Sequence, residues 1–151
     1  MTHRKEDDVR NVLFNEMNRP FTAYALDDME RWDALIRVRD GVNAALEKAR
    51  ADKRIGKSLE AKVTLVKDSD ENHPPRAFDD EKLAELFIVS EVEVTDDAAR
   101  YAEGAETLVA GVRVLVAPAE GDKCPRCWRQ VKTHGPDGLC PRCVRVVSLL
   151  K

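Results

Sequence analysis

The sequence lacks a long hydrophobic run. It contains no stretch of about 18 consecutive apolar residues, the least that a membrane-spanning helix needs, and residues 1–11 are too polar for a secretory signal peptide. Aromatic residues are also scarce, at 5% of the chain, whereas charged residues make up 35%. We therefore expect a small core, a strongly solvated surface, no membrane contact, and a cytoplasmic location in which thiols stay reduced.

Signatures of catalysis are missing as well. The phosphate-binding glycine patterns GxxxxGK[ST] and GxGxxG do not occur. The three histidines, His3, His73 and His134, are far apart in predicted loops, and no Ser/His/Asp set accompanies them. Carboxylates are abundant but lie on faces predicted to be solvated. The sequence therefore predicts no enzyme activity for this chain alone.

Charge is distributed unevenly along the chain. Residues 121–151 contain seven Lys or Arg and two Asp, which gives this segment +5, while the whole chain carries −3. An acidic body with a basic end is typical of a protein that meets a polyanion with part of its surface. A second interpretation, that the charges serve solubility alone, fits the composition equally well.

The pattern of apolar residues predicts an α+β fold that begins with one long helix over residues 27–54. Gly56 can end this helix, and Gly41 inside it suggests close approach by a neighbour. The helix carries one apolar stripe with three- and four-residue spacing, formed by Leu35, Val38, Val42, Ala45, Leu46 and Ala49. Because such a stripe needs a partner, we expect the irregular residues 1–25 to fold back onto it, or the chain to self-associate.

The middle of the chain is predicted to form a small three-stranded sheet with a short helix. Apolar residues alternate in each strand segment, as on a half-buried sheet. The strands are predicted at Ala61–Val66, Ile88–Val94 and Gly111–Val116, the short helix at Asp79–Phe87, and a loop or second short helix at Thr95–Glu106.

Four cysteines follow in the pattern Cys124-x2-Cys127 and Cys140-x2-Cys143, and both pairs read CPRC. Two such turns can supply the four thiolates of one closed tetrahedral zinc site. Iron is the main alternative; disulfides are not expected in a reduced cytosol, and a redox dithiol would need only one pair. Four protein ligands leave no position for water, so we expect one structural zinc ion that supplies much of the folding free energy of a C-terminal four-cysteine zinc finger.

Basic residues surround Trp128, which directly follows Cys127. Lys and Arg contact phosphates and Trp can stack on an unpaired base, so these residues are candidate RNA contacts: Trp128, Arg126, Arg129, Lys132, Arg142 and Arg145. Alternatively, Trp128 covers the zinc site as a miniature core and the arginines form a solvated rim. A second basic cluster lies at the end of the long helix, and we interpret it as helix solvation and dipole compensation: Lys48, Arg50, Lys53, Arg54 and Lys57.

Two sets of residues resemble the C-terminal end of bacterial-type isoleucyl-tRNA synthetases. The first is Ala49-Arg50…Lys53…Ile55-Gly56…Ser58-Leu59-Glu60-Ala61…Val63, which is similar to the family's ARxxKxIGxSLEAxV stretch. The second is the terminal CPRCW…LCPRC, which is similar to the family's zinc-finger pattern. Asn11–Met17 also looks like the segment that precedes the family's last helix, so the resemblance covers nearly the whole chain in the family's order.

The resemblance implies a division into the end of the helical anticodon-binding domain at 1–58, a small α+β unit at 59–120 and a zinc finger at 121–151. The family's HIGH-type and KMSKS-type signatures and its editing domain are absent from this sequence. The implied role is therefore non-catalytic: the chain helps to hold the anticodon end of the isoleucine tRNA, while the remainder of the synthetase uses ATP to attach L-isoleucine.

The resemblance carries the zinc-ligand role onto the four cysteines and matches Trp128 to the family's Trp after the first pair. RNA contact by the basic residues rests on charge and position alone. Two other functions stay open: a zinc-ribbon module that binds another nucleic acid, and a purely structural brace of the synthetase.

Overall fold

The computed structural model describes residues 26–68 and 79–150 and has the predicted α+β architecture. Its helices are α1 (Leu26–Ala51), α2 (Asp80–Phe87), α3 (Ala98–Glu103) and α4 (Pro141–Ser148). Its strands are β1 (Ala61–Lys67), β2 (Glu91–Thr95), β3 (Ala105–Glu106), β4 (Val112–Pro118), β5 (Asp122–Lys123) and β6 (Gln130–Val131). Short 3-10 turns occupy Ser58–Glu60 and Pro136–Gly138. No helix in these two ranges is long and apolar enough to cross a membrane.

The main sheet has the strand order β2-β1-β4-β3. Strands β1 and β2 are parallel and α2 lies between them in sequence, whereas β4 is antiparallel to both β1 and β3. The three predicted strands are thus present, and the two-residue edge strand β3 makes the sheet four-stranded. Strands β5 and β6 form a separate hairpin that carries the first cysteine pair.

The apolar stripe of α1 packs on one face of this sheet. Five stripe residues are buried and Ala45 is partly buried, all within one core shared with β1 and β4. The sheet is therefore the partner that the stripe requires. The predicted fold-back of residues 1–25 lies outside the described residues. A Cβ added to Gly41 would come within 2.8 Å of Thr107 Cβ, so the predicted close approach is present.

The end of α1 differs from the prediction. The helix ends at Ala51, and Lys53 then adopts φ 57°, in the left-handed region. Backbone N–H groups of Asp52 and Arg54 donate to the carbonyls of Lys48 and Ala49, both at 2.9 Å, and close the last turn. The residue that ends the helix in left-handed backbone is therefore Lys53 and not Gly56.

The start of β2 also differs. Asp79 caps α2 as predicted, accepting a hydrogen bond from Lys82 N at 2.8 Å. The helix ends at Phe87, the next residue Ile88 has a φ of 57° that is incompatible with a strand, and β2 begins only at Glu91. The alternating pattern predicted a strand from Ile88, because an apolar residue at a helix end can continue a strand's period by chance. The segment 95–106 contains the short helix α3.

Candidate metal centre and its basic surroundings

Two local turns bring the four cysteines together. Cys124 and Cys127 lie in the loop between β5 and β6, while Cys140 precedes α4 and Cys143 lies in its first turn, with Pro141 at the favoured first helical position. All four thiols are free, and their sulfur atoms lie within 4.8 Å of one another. Sulfurs bound tetrahedrally to one zinc at about 2.3 Å would be roughly 3.8 Å apart. The donor set and its spacing therefore fit one four-coordinate metal ion.

The surroundings of the sulfur atoms are unequal. Burial alone would raise the pKa of Cys124, but the backbone amides of Cys127, Cys140 and Arg126 outweigh it and lower that pKa to about 6. Burial raises the pKa of Cys127 to about 12 and also raises that of Cys140. Bound thiolates need positive charge nearby, which a divalent metal ion would supply when present. The Arg126 guanidinium adds a donor 3.6 Å from Cys143 Sγ.

Trp128 occupies strained backbone beside the first cysteine pair. Its φ is 67°, which is unusual for a bulky L-residue, and its N–H donates to Cys124 O at 2.9 Å. The residue is 60% exposed, and the apolar side chains that pack against the cysteines are those of Val131 and Leu139. The Lys123 ammonium stands 5.4 Å from the ring centroid. Trp128 is therefore not part of the small core around the cysteines, and its contact with RNA stays a prediction.

Arg129 holds the metal module against the sheet. Its Nη2 donates to Ser90 O at 2.9 Å, and its buried Nε has no hydrogen-bond partner among the described residues. Gln130 N donates to Ser90 Oγ at 2.7 Å, and that hydroxyl donates to Leu59 O at 2.5 Å. This predicted RNA contact is thus turned largely inward. No local sequence pattern predicts this contact, because Ser90 is 39 residues away along the chain.

The other candidate RNA-binding cations remain exposed, but two of them form ion pairs. Arg142 Nη2 lies 3.0 Å from Glu85 Oε1 on α2, and Lys132 Nζ lies 2.8 Å from Glu120 Oε2. Arg145, one helical turn after Arg142, makes no ion pair with any residue in the described ranges. RNA contact by these residues stays a prediction.

The chain matches no protein-family model. It is 38% identical over 150 residues to the isoleucine–tRNA ligase of Staphylococcus carnosus (strain TM300), in a match that covers 97% of this chain and 15% of the relative. The isoleucine–tRNA ligase of Geobacillus thermodenitrificans (strain NG80-2) is 40% identical over 154 residues, covering 97% and 16%. That of Kosmotoga olearia (strain ATCC BAA-1733 / DSM 21960 / TBF 19.5.1) is 45% identical over 124 residues, covering 78% and 13%.

The chain spans only 13% to 16% of the length of these relatives. The first two matches each include 97% of this chain. The resemblance found in the sequence is therefore confirmed. The chain therefore belongs to the isoleucine–tRNA ligase family and corresponds to a fragment-sized region of its members.

Proposed function

We propose that this chain is the C-terminal, non-catalytic region of an isoleucine–tRNA ligase and that it binds the anticodon region of the isoleucine tRNA. In this proposal the remainder of the synthetase, not this chain, ligates L-isoleucine to the tRNA with ATP in the cytoplasm. The segments 1–58, 59–120 and 121–151 then act as the end of the helical anticodon-binding domain, a small α+β unit and a zinc finger.

The observation that carries the proposal is the exposed ring of Trp128 beside the metal module. One side of the ring faces the Lys123 ammonium, and the residue is 60% exposed. An unpaired base can stack on such a ring with a favourable free energy of about 1–3 kcal/mol, while the cation attracts the adjoining phosphate. Looped RNA offers both groups, whereas the bases of duplex DNA are already stacked, which disfavours the second nucleic-acid alternative.

We assign zinc as the metal, held by Cys124, Cys127, Cys140 and Cys143. A four-thiolate site with all positions occupied by protein suits zinc in a structural role. The ion would fix the β5–β6 hairpin to α4 and so hold Trp128 in place. Metal analysis of protein expressed with both zinc and iron available tests this assignment: iron as the dominant metal would contradict it.

The bracing function is favoured by a different observation. Arg129, Lys132 and Arg142 all contact protein groups, and two of these contacts join the metal module to Ser90 and Glu85 on the main α+β unit. A module held this way could support the synthetase without touching RNA. Charge reversal of Arg145 in the parent synthetase separates the roles, because Arg145 forms no ion pair within the described residues and a brace that makes no RNA contact predicts unchanged KM for tRNA.

The direct test is binding of the zinc-loaded chain to unmodified isoleucine tRNA, with a non-cognate tRNA as control, at one moderate salt concentration. Salt must be constant because phosphate contacts are strongly screened. We expect tighter binding to the isoleucine tRNA. Equal binding to both would place recognition outside these 151 residues, and no binding to either would leave the bracing role.

A further inference from the structure

A basic cavity lies at the C-terminal end of α1, on a part of the chain remote in sequence from the cysteines. Its volume is about 430 Å3, and it is lined by Arg50, Lys53, Arg54, Ile55, Gly56 and Glu60. Three of these six residues are cations, and Lys57 follows directly in the chain. We name this feature the α1-end cavity. Its size and charge suit a phosphate group with part of a sugar.

Protein groups fix the two guanidinium groups of the cavity. Arg50 Nη2 donates to Ser58 Oγ at 2.6 Å, and Arg54 Nη1 donates to Val116 O at 3.1 Å. Arg50 also pairs with Glu47, and Arg54 Nη2 lies 3.8 Å from Asp52 Oδ2, so the charge left for a ligand comes mainly from the lysines. Lys53 and Lys57 are exposed and form no ion pair with any residue in 26–68 or 79–150. The cavity thus combines oriented donors with uncommitted positive charge.

The backbone of the cavity already binds an oxyanion from the protein itself. Glu60 Oε2 accepts hydrogen bonds from Gly56 N at 2.9 Å and Lys57 N at 3.2 Å. These two amides lower the pKa of the Glu60 carboxyl, and the charges of Lys57 and Lys123 lower it further. Ser90 Oγ donates to Leu59 O, next to Glu60, and accepts from Gln130 N, and Gln130 is the strand partner of Lys123, so the strand that precedes Trp128 lies near this cavity. The two basic clusters, separate in sequence, are therefore neighbours in the fold.

Lys53 itself occupies unfavourable backbone. Its φ of 57° is the left-handed conformation that glycine adopts without strain at helix ends. A lysine at this position therefore gives up stability relative to glycine. Dipole compensation, the interpretation made from sequence, does not need a cation at the strained residue, because Lys48 and Arg50 already lie in the last turn of α1.

We propose that the α1-end cavity binds a backbone phosphate of the same RNA whose unpaired base stacks on Trp128. The inference rests on the proposed function and adds a second contact site to it, on the helical side of the surface. Lys53 and Lys57 are the phosphate-binding cations, Arg50 and Arg54 shape the cavity, and Lys123 connects it to the stacked base.

The test compares three variants of the full chain in titrations with unmodified isoleucine tRNA over a range of salt concentrations. Lys53→Gly with Lys57→Ala removes both mobile cations while relieving the strain at residue 53, so lost binding cannot be ascribed to a less stable fold. Arg31→Ala with Arg37→Ala removes two exposed cations from α1, with Arg37 about 21 Å along the axis from Ala51, the last residue of the helix. Trp128→Ala tests the proposed function separately.

We expect the Lys53/Lys57 variant to bind about fivefold more weakly at 0.1 M salt, with a salt slope smaller by roughly 0.7, as for one lost phosphate contact on a single strand. The Arg31/Arg37 variant should bind like the unaltered chain. An unchanged slope for Lys53/Lys57 beside weakened binding by Trp128→Ala would overturn this inference and leave the proposed function standing. Equal losses of tRNA affinity in the Lys53/Lys57 and Arg31/Arg37 variants would mean that only the net charge of the chain matters. That result would also overturn this inference. No effect of any variant would refute both proposals.

Discussion

At the residue scale, two exposed side chains lie on backbone that L-residues rarely adopt: Lys53 at φ 57° and Trp128 at φ 67°. The left-handed conformation costs an ordinary residue roughly 1–2 kcal/mol. Ile88 and Asp137 share it, so strain alone does not mark function. What distinguishes Lys53 and Trp128 is that each projects a group able to contact RNA, next to the same basic surface.

For Trp128→Gly we predict opposite effects on stability and on RNA binding. Glycine relieves the strain but gives the unfolded chain more freedom, at a cost of about 0.5–1 kcal/mol, so stability should stay equal or rise by up to about 1.5 kcal/mol. The tRNA affinity should fall by about 1–3 kcal/mol with the lost stacking. Chemical denaturation and tRNA titration measure the two quantities.

Trp128→Phe is the matched control for this prediction. It keeps both an aromatic ring and the strained backbone, so it should retain most of the tRNA affinity and none of the gain in stability. Full affinity in Trp128→Gly would show that the ring makes no contact with RNA. A large loss of stability in that variant would show that the exposed ring supports the metal module.

At this scale the sequence predicted a side chain's role only where neighbouring residues determine its direction. The four cysteines could be assigned because two residues within one turn determine where both sulfurs point. Arg129 and Trp128 could not, since a charged or aromatic residue next to a cysteine can turn either way. Arg129 points inward because its guanidinium donates a hydrogen bond to the Ser90 carbonyl. That contact exists only after the metal module has docked on the sheet.

At the scale of elements, the periodicity of apolar residues predicted the long helix and the long strands, and it missed or misplaced the short elements. The seven-residue strands β1 and β4 and the stripe of α1 have enough residues to show a period. Strand β3 has two residues and shows none. The end of α1 and the start of β2 were misplaced because Lys53 and Ile88 adopt left-handed backbone that their side chains do not favour, so local preference pointed elsewhere.

Gly41 provides a prediction about how α1 packs on the sheet. In an isolated helix Gly→Ala would stabilise by about 1 kcal/mol. Here the new Cβ would meet Thr107 Cβ at 2.8 Å and its Cα at 3.1 Å, and backbone cannot move aside easily. We expect Gly41→Ala to lower the free energy of unfolding by about 1–3 kcal/mol, the usual cost of overpacking, as measured by urea denaturation.

Ala44 on the exposed side of the same helix is the control. Ala44→Gly should lower stability by about 1 kcal/mol through helix propensity alone, because nothing packs on that position. If Gly41→Ala instead stabilised the protein by that same amount, α1 would not lie this close to the segment before β4.

At the scale of the whole molecule, the described residues form two cores that share no residue. The larger contains the α1 stripe, α2 and the main sheet; the smaller contains the cysteines with Val131 and Leu139. Polar contacts join them, chiefly those of Arg129 and Gln130 with Ser90 and of Arg142 with Glu85. The main sheet should therefore not need the metal in order to fold, whereas the cysteine module should.

Metal removal tests this division. A module with so small a core depends on metal binding for on the order of 10 kcal/mol of folding free energy. After chelation we expect rapid hydrogen exchange at the amides of 122–148 and preserved protection in β1 and β4. Cys143→Ser should reproduce the pattern without chelator, whereas Ser148→Ala, which leaves all four sulfurs in place, should not. Lost protection in β1 and β4 would mean that the polar contacts through Ser90 and Glu85 couple both cores into one cooperative unit, and that the sheet is stable only while the metal holds the module in place.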